Sequence, residues 1–190
     1  MKIKSLYLLI FLFLALSACN RATMPKPYGY FRIDIPDTAY TYTQLPGFPY
    51  AFRLSDYAYI ELREQNDEKY WIDIQYPTLN ATIHCSYKPV NNNLRNLSRD
   101  AQEFLYSHST VASAIPMQEY ADDERGVYGL YYELKGNTAT PIQFYLTDST
   151  EHFFRGSVYC NTIPNQDSLV PVYEFLRKDA RVIMESFIWK

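Results

Sequence analysis

Only two stretches of this chain carry a helical period; most of its other apolar residues alternate with a period of two. That constrains the fold before any residue is given a task. Leu94, Leu97, Ala101, Phe104 and Leu105 recur at spacings of three and four, with Arg95, Arg99, Asp100 and Glu103 facing away. This predicts one amphipathic helix, with Asn92 or Asn93 as N-cap and an end near His108. Asn165-Gln166-Asp167-Ser168 is expected to cap a second helix. Pro171 would sit in its first turn, where a missing N–H costs nothing, and Val172, Phe175, Leu176, Ala180, Ile183 and Phe187 form its buried stripe.

The remainder reads as short strands. Phe31, Ile33 and Ile35 alternate with Arg32 and Asp34, and further candidates are Tyr40–Gln44, Phe48–Leu54 and Tyr57–Arg63. After a polar turn at Gln65-Asn66-Asp67 come Tyr70–Tyr76 and Ala81–Tyr87, a hairpin-like pair. Beyond the first helix, Val111–Gln118, Gly126–Glu133 and Pro141–Thr147 are followed by a turn at Asp148–Glu151 and a returning strand, His152–Cys160. Short connections between many strands and two helices imply an α+β fold: an antiparallel sheet with two main helices packed on it. The element order resembles the Mog1/PsbP-like α/β sandwich, a likeness of fold that assigns no function. Tyrosine is the compositional outlier, 19 of 190 residues, and it is spread along the chain. Dispersed Tyr suits rings packed inward with hydroxyls kept wet along sheet faces better than one stacking surface.

The N-terminus carries an address. Lys2 and Lys4 precede an apolar run from Ser5 to Leu16, which ends on Leu16-Ser17-Ala18-Cys19. A basic start, a short apolar run and small closing residues make a secretory signal. The run is too short for the roughly 20 residues a membrane span needs. Leu-Ser-Ala-Cys resembles the bacterial lipobox, in which the chain is cut before the Cys and its thiol is acylated. We therefore expect a signal peptide over residues 1–18, lipid attachment at Cys19, a tether over 19–27 and a single α+β domain over 28–190. The formal net charge is −3, and removing Lys2 and Lys4 makes it more negative, so nucleic acid is not an expected partner. Membrane attachment then rests on the acyl chains.

The sequence offers no catalytic constellation, metal set or cofactor fingerprint. His84, His108 and His152 are widely separated, and no Cys-x-x-Cys, His-x-x-x-His, Gly-x-Ser-x-Gly or Gly-rich phosphate loop is present. Asp148, Ser149 and His152 crowd one hairpin turn, where nucleophile and base would not face each other. Asp122-Asp123-Glu124 reads as a solvated charge run. Cys85 and Cys160 fall in phase with the apolar faces of their strands, so they are either buried thiols or, export permitting, a disulfide. Thr38, Ser149 and Ser168 each follow an Asp and precede a residue in the pattern of the Asp-Ser/Thr-hydrophobic O-glycosylation acceptor of Bacteroidetes, although turns and caps use the same residues. A polar patch is expected from His84 with Asp148, His152 and Arg155, against the plainer reading of strand and turn residues satisfying themselves.

One family accounts for the whole series of blocks. Pro27-Tyr28-Gly29-Tyr30-Phe31-Arg32-Ile33-Asp34, Ala81-Thr82-Ile83-His84 with Ser86-Tyr87-Lys88, and Val127-Tyr128-Gly129 occur in order. Gln143 to Ser149, His152-Phe153 with Arg155-Gly156, Asp167-Ser168-Leu169 with Pro171-Val172, and the ending Phe187-Ile188-Trp189-Lys190 complete the series. This resembles the gliding-motility lipoprotein GldD family of Bacteroidetes. The resemblance implies a non-enzymatic outer-membrane lipoprotein that supports gliding motility and type IX secretion, with partner lipoproteins such as GldJ. It supplies no catalytic residues, and Cys85 and Cys160 stand outside its pattern. Asn20-Arg21-Ala22-Thr23 lacks the acidic run of surface-exposed lipoproteins, which favours the periplasmic face. The alternative is a periplasmic module binding a small molecule or glycan; an envelope hydrolase would need a spatial cluster that sequence does not reveal.

Overall fold

Pro116 and Phe187 mark where local pattern yields to tertiary structure in the computed structural model, which describes residues 38–63, 69–107, 112–162 and 166–190. All of them belong to one compact unit, Arg32–Lys190. The signal peptide, Cys19, the tether, the strand expected near Ile33, the turn at Asn66, His108 and the Asn165 cap lie outside the described residues.

In chain order, β1 (Tyr40–Tyr42), β2 (Tyr50–Ala51), β3 (Arg53–Ser55) and β4 (Tyr59–Leu62) lead to β5 (Ile72–Tyr76) and β6 (Ala81–Pro89). Helix α1 (Leu94–Ser107) follows, then β7 (Ala112–Ala114), β8 (Met117–Asp122), β9 (Val127–Glu133), β10 (Lys135–Gly136), β11 (Ile142–Thr147) and β12 (His152–Cys160). Helix α2 (Gln166–Glu185) and β13 (Ile188–Trp189) close the chain. The main sheet has seven antiparallel strands in the order β4-β5-β6-β12-β11-β9-β8. Its middle is the long β6–β12 pair, with His152 opposite Pro89 and Cys160 opposite Ala81.

The two helices take opposite faces of this sheet. On β12 the alternation is direct: Phe154 and Val158 join the large core with Val172, Leu176 and Ile183 of α2, whereas Phe153 packs with Leu97 and Ala101 of α1. The α+β expectation holds, with one helix to each face. Asn93 occupies the N-cap position of α1, its carbonyl accepting from the N–H groups of Asn96 and Leu97, while Asn92 adopts a left-handed φ of 57°. Leu97, Ala101 and Leu105 are buried as the period requires, but Phe104 is 56% exposed.

Four differences from the sequence reading have identifiable physical causes. The strand expected over Val111–Gln118 divides into β7 and β8 at Ile115-Pro116, since Pro cannot donate to a ladder. The Phe48–Leu54 strand likewise becomes β2 and β3, which pair with different partners. Helix α2 begins at Gln166, inside the run expected to cap it, so Pro171 lies beyond the first turn and withdraws one i→i−4 hydrogen bond. Phe187 is not a helical residue: Ser186 ends the helix, its N–H and hydroxyl both donating to the Val182 carbonyl. Its Oγ in turn accepts from Arg53 N–H at 2.8 Å, and the chain turns into β13 along β2.

That turn carries Phe187 into an aromatic knot. Its ring lies 4.9 Å from Phe154, 5.7 Å from Tyr50 and 6.0 Å from Phe52, and Tyr50 meets Phe154 edge-on at 4.8 Å. All four rings are fully buried. Aromatic pairs of this geometry contribute about 0.5–1.5 kcal/mol each beyond area burial. The dispersed tyrosines do pack inward: Tyr50, Tyr76, Tyr87, Tyr131, Tyr132 and Tyr173 are all buried.

Gly156 is required by the same core. It pairs with Phe144 across β11 and β12, and a Cβ there would come within 2.3 Å of the Phe144 ring. We expect Gly156→Ala to cost about 1–3 kcal/mol, the scale of an overpacked core. Urea unfolding should show a lower midpoint at unchanged slope, partly restored by adding Phe144→Leu.

A buried carboxyl gives a second test. Asp179 of α2 is 1% exposed and accepts from the Tyr40 hydroxyl at 2.5 Å. Burial raises its pKa, and the hydrogen bonds only partly oppose the rise. A folded-state pKa above the unfolded value means that the native state binds the extra proton, so this group's contribution falls as pH rises from about 4 through the raised value. The stability of the wild type minus that of Asp179→Asn should therefore decline over that window and then level off, as read by denaturant titrations at stepped pH.

Candidate functional site

Because β12 is central and alternates, the side chains at 153, 155, 157 and 159 all leave the sheet toward α1. They do not fill the space beneath it. A cavity of about 580 Å³ remains between the helix and the strands β6 and β12. Leu97, Ala101 and Phe104 form its helical wall; Phe153, Arg155, Ser157 and Tyr159 of β12 and His84, Ser86 and Lys88 of β6 form the opposite one. Arg63, Trp71 and Asp100 also line it.

The charges of this groove are divided unevenly. Asp73, buried on β5, accepts from Arg63 Nε at 2.9 Å on one oxygen and meets His84 Nδ1 at 2.8 Å on the other. An ionised carboxylate only accepts, so the ring proton sits on Nδ1 in this pair. The His84 ring also stands edge-on to Tyr159 at 5.1 Å. Arg155 has no such counter-ion: among the described residues no carboxylate lies within 4.0 Å of it. Its Nη2 donates to Gln143 Oε1 at 2.7 Å, and its guanidinium lies 5.0 Å from the centre of the Phe104 ring. Desolvation lowers its pKa from the ordinary value. Beside it, Ser157 is 3% exposed and its hydroxyl has no hydrogen-bond partner among the described residues.

The expected polar patch does not assemble. His84 and Arg155 share the groove, but His152 has the opposite parity on β12 and faces the other side of the sheet. There its Nδ1 and the Tyr87 hydroxyl share a 2.7 Å hydrogen bond, and its ring stacks on Trp189 at 5.0 Å. Asp148 closes the β11–β12 turn, one oxygen accepting from the N–H groups of Thr150, Glu151 and His152. Burial pushes its carboxyl up, but those N–H bonds outweigh it and hold the pKa below the usual range. Ser149 has a left-handed φ of 72° at the same turn and donates its N–H to Thr147 Oγ1. Among the described residues no group of three or more His, Cys, Asp or Glu is placed to hold a metal ion. Asp122 pairs with Arg125 to close the β8–β9 turn. Of the O-glycosylation candidates, Ser149 is exposed at a hairpin tip, Thr38 is half-buried, and Ser168 is half-buried within α2.

A Cys85–Cys160 disulfide is excluded by register. Cys85 faces Gly156 and Cys160 faces Ala81, four residues further along the pair. At about 3.3 Å per residue that is roughly 13 Å along the strands, well beyond the ~7 Å a bridge allows. Both thiols are free and buried. Burial pushes Cys160 up to about 11 and Cys85 higher still, so neither is a ready thiolate.

Comparison with known proteins defines the class first. The fold is similar to the solution structure of cyanobacterial PsbP (CyanoP) from Synechocystis sp. PCC 6803, with a TM-score of 0.50 over 84% of this chain and 98% of that one, at 9% identity. At that identity the likeness concerns the backbone alone, and it bears out the PsbP-like α+β reading. No curated protein matches the chain. The gliding motility lipoprotein GldD family matches residues 20–189, and the chain belongs to that family. It is thus a gliding-motility lipoprotein, anchored to a membrane of the cell envelope.

The thiol assignment can be checked chemically. With no reductant present, iodoacetamide should leave Cys85 and Cys160 unmodified in the folded protein and alkylate both once the chain is unfolded in urea. A mass corresponding to a Cys85–Cys160 crosslink would contradict the register.

Proposed function

We propose that this protein is a non-enzymatic accessory lipoprotein, held to the periplasmic face of the outer membrane through Cys19. There it supports gliding motility and the type IX secretion machinery by stabilising or assembling partner lipoproteins such as GldJ. The observation that carries this reading is the family match, which begins at residue 20, directly after the lipobox cysteine, and runs to residue 189. The polar residues that tempt a catalytic reading support it as well. Asp148 caps a turn, His152 is held by Tyr87 and Trp189, and His84 is paired with Asp73. Each has a structural partner that accounts for its position.

Deletion of the gene, complemented by wild type or by Cys19→Ala, tests this. We expect deletion to lower colony spreading, export of type IX cargo and the amount of GldJ, wild type to restore all three, and Cys19→Ala to restore none although the domain still folds. Unchanged motility, secretion and partner levels after deletion would reject the assembly role.

A further inference from the structure

We propose that the groove between α1 and the β6–β12 pair binds a small amphiphilic anion, with an acidic oxygen head set against Arg155 and Ser157 and an apolar body against Trp71, Phe104 and Phe153. The site extends beyond the assembly role and stands without it.

Size is the first support. About 580 Å³ falls within the range of ligand pockets; the helical wall is apolar at Leu97, Ala101 and Phe104, with Asp100 beside them, while Arg155, Ser157, His84 and Lys88 converge on the other. The distribution of charge is the second. Structural ion pairing explains Arg63 and His84, which Asp73 already holds. It does not explain Arg155, held by a neutral amide and an aromatic ring in a desolvated position. A desolvated guanidinium with donors to spare is stabilised by an incoming anion far more than by a neutral sugar, because a charge-assisted bond in low dielectric is about twice as strong as a neutral one. Ser157 is the third support. Ser157 lines the same cavity, its buried hydroxyl has no partner among the described residues, and such a group is normally satisfied by a neighbour or by something bound. Arg155 and Ser157 are two residues apart on one strand face, so both can reach a single head group.

The head can be a carboxylate or a phosphate, and the test separates them. Full-length lipoprotein in lipid nanodiscs is photolabelled with trifluoromethyl-diazirinyl benzoate and with its uncharged benzamide counterpart, and the labelled peptides are mapped by mass spectrometry. The benzoate should label the Leu97–Leu105 and Phe153–Tyr159 segments in preference to the benzamide. Arg155→Gln should lower that labelling about tenfold or more, the scale of losing one charge-assisted bond from a desolvated site. Arg155→Lys should retain an intermediate level, and Ser86→Trp, which fills the groove opposite Arg155, should abolish labelling. Competition by laurate against dodecyl phosphate then names the head group, and displacement by either supports the site. Equal labelling by benzoate and benzamide, or wild-type labelling of folded Arg155→Gln, would overturn the proposal. Should Arg155→Gln not fold, the charge preference of the wild type and its loss in Ser86→Trp decide the matter.

Discussion

The fold is held at the contact between Phe154 and the two chain segments that close over it. Tyr50 arrives from β2 and Phe187 from the turn after α2, and both rings meet Phe154 within 5 Å. These segments also pair with each other as β2 and β13, so one short ladder and one aromatic knot bind the N-terminal strands and the C-terminal tail to the middle of the sheet. Because β12 has a period of two, seating Phe154 and Val158 in the core beneath α2 obliges Phe153, Arg155, Ser157 and Tyr159 to leave by the opposite face. The groove follows from the core. No separate device is needed to aim Arg155 beneath α1.

Charge organises the other side of the sheet by a similar exclusion. Asp73 is a buried carboxylate whose two oxygens are taken by Arg63 and His84. Those two groups are therefore fixed in place, and the Arg63 guanidinium has its counter-ion. Arg155 stands further along the neighbouring strand, opposite Ser86, and Gln143 orients it without neutralising it. A neutral amide that positions a guanidinium leaves its electrostatic demand unmet. Arg155 differs in this from Arg125, whose partner Asp122 lies within the same turn.

Regular strands and helices were legible wherever one face is buried and the other wet. His152–Cys160 has the bounds read from the alternation, and α1 has the stripe read from its period. Other features depend on partners distant in sequence. Phe187 continues the spacing of Ile183 and looks helical, and only β2 reveals that it belongs to a turn. Gly156 carries no local sign that the Phe144 ring lies over it. Phe104 sits at the border of its helical stripe, where the period alone does not separate a core residue from the lip of a groove. The polar patch failed for a reason the sequence did contain. Residues 152 and 155 on one strand have opposite parity, so His152 and Arg155 could not share a face. Applying the alternation to the polar residues as strictly as to the apolar ones would have separated them.

Family and fold constrain different things here. The PsbP-like backbone is reached at 9% identity, too little to carry any side chain of the groove, so it accounts for the sandwich and leaves the site to this chain's own residues. The family match accounts for a membrane-anchored envelope protein. Anchoring bears on how a groove of this kind operates. A protein confined to a membrane meets other components of that membrane at high effective concentration, and the tether supplies encounter without adding contacts. Under that condition a site need not bind tightly to be occupied. A single desolvated guanidinium, one unpaired hydroxyl and an aromatic wall give such a site: selective in charge, moderate in affinity, and built on the rigid central strand of the sheet.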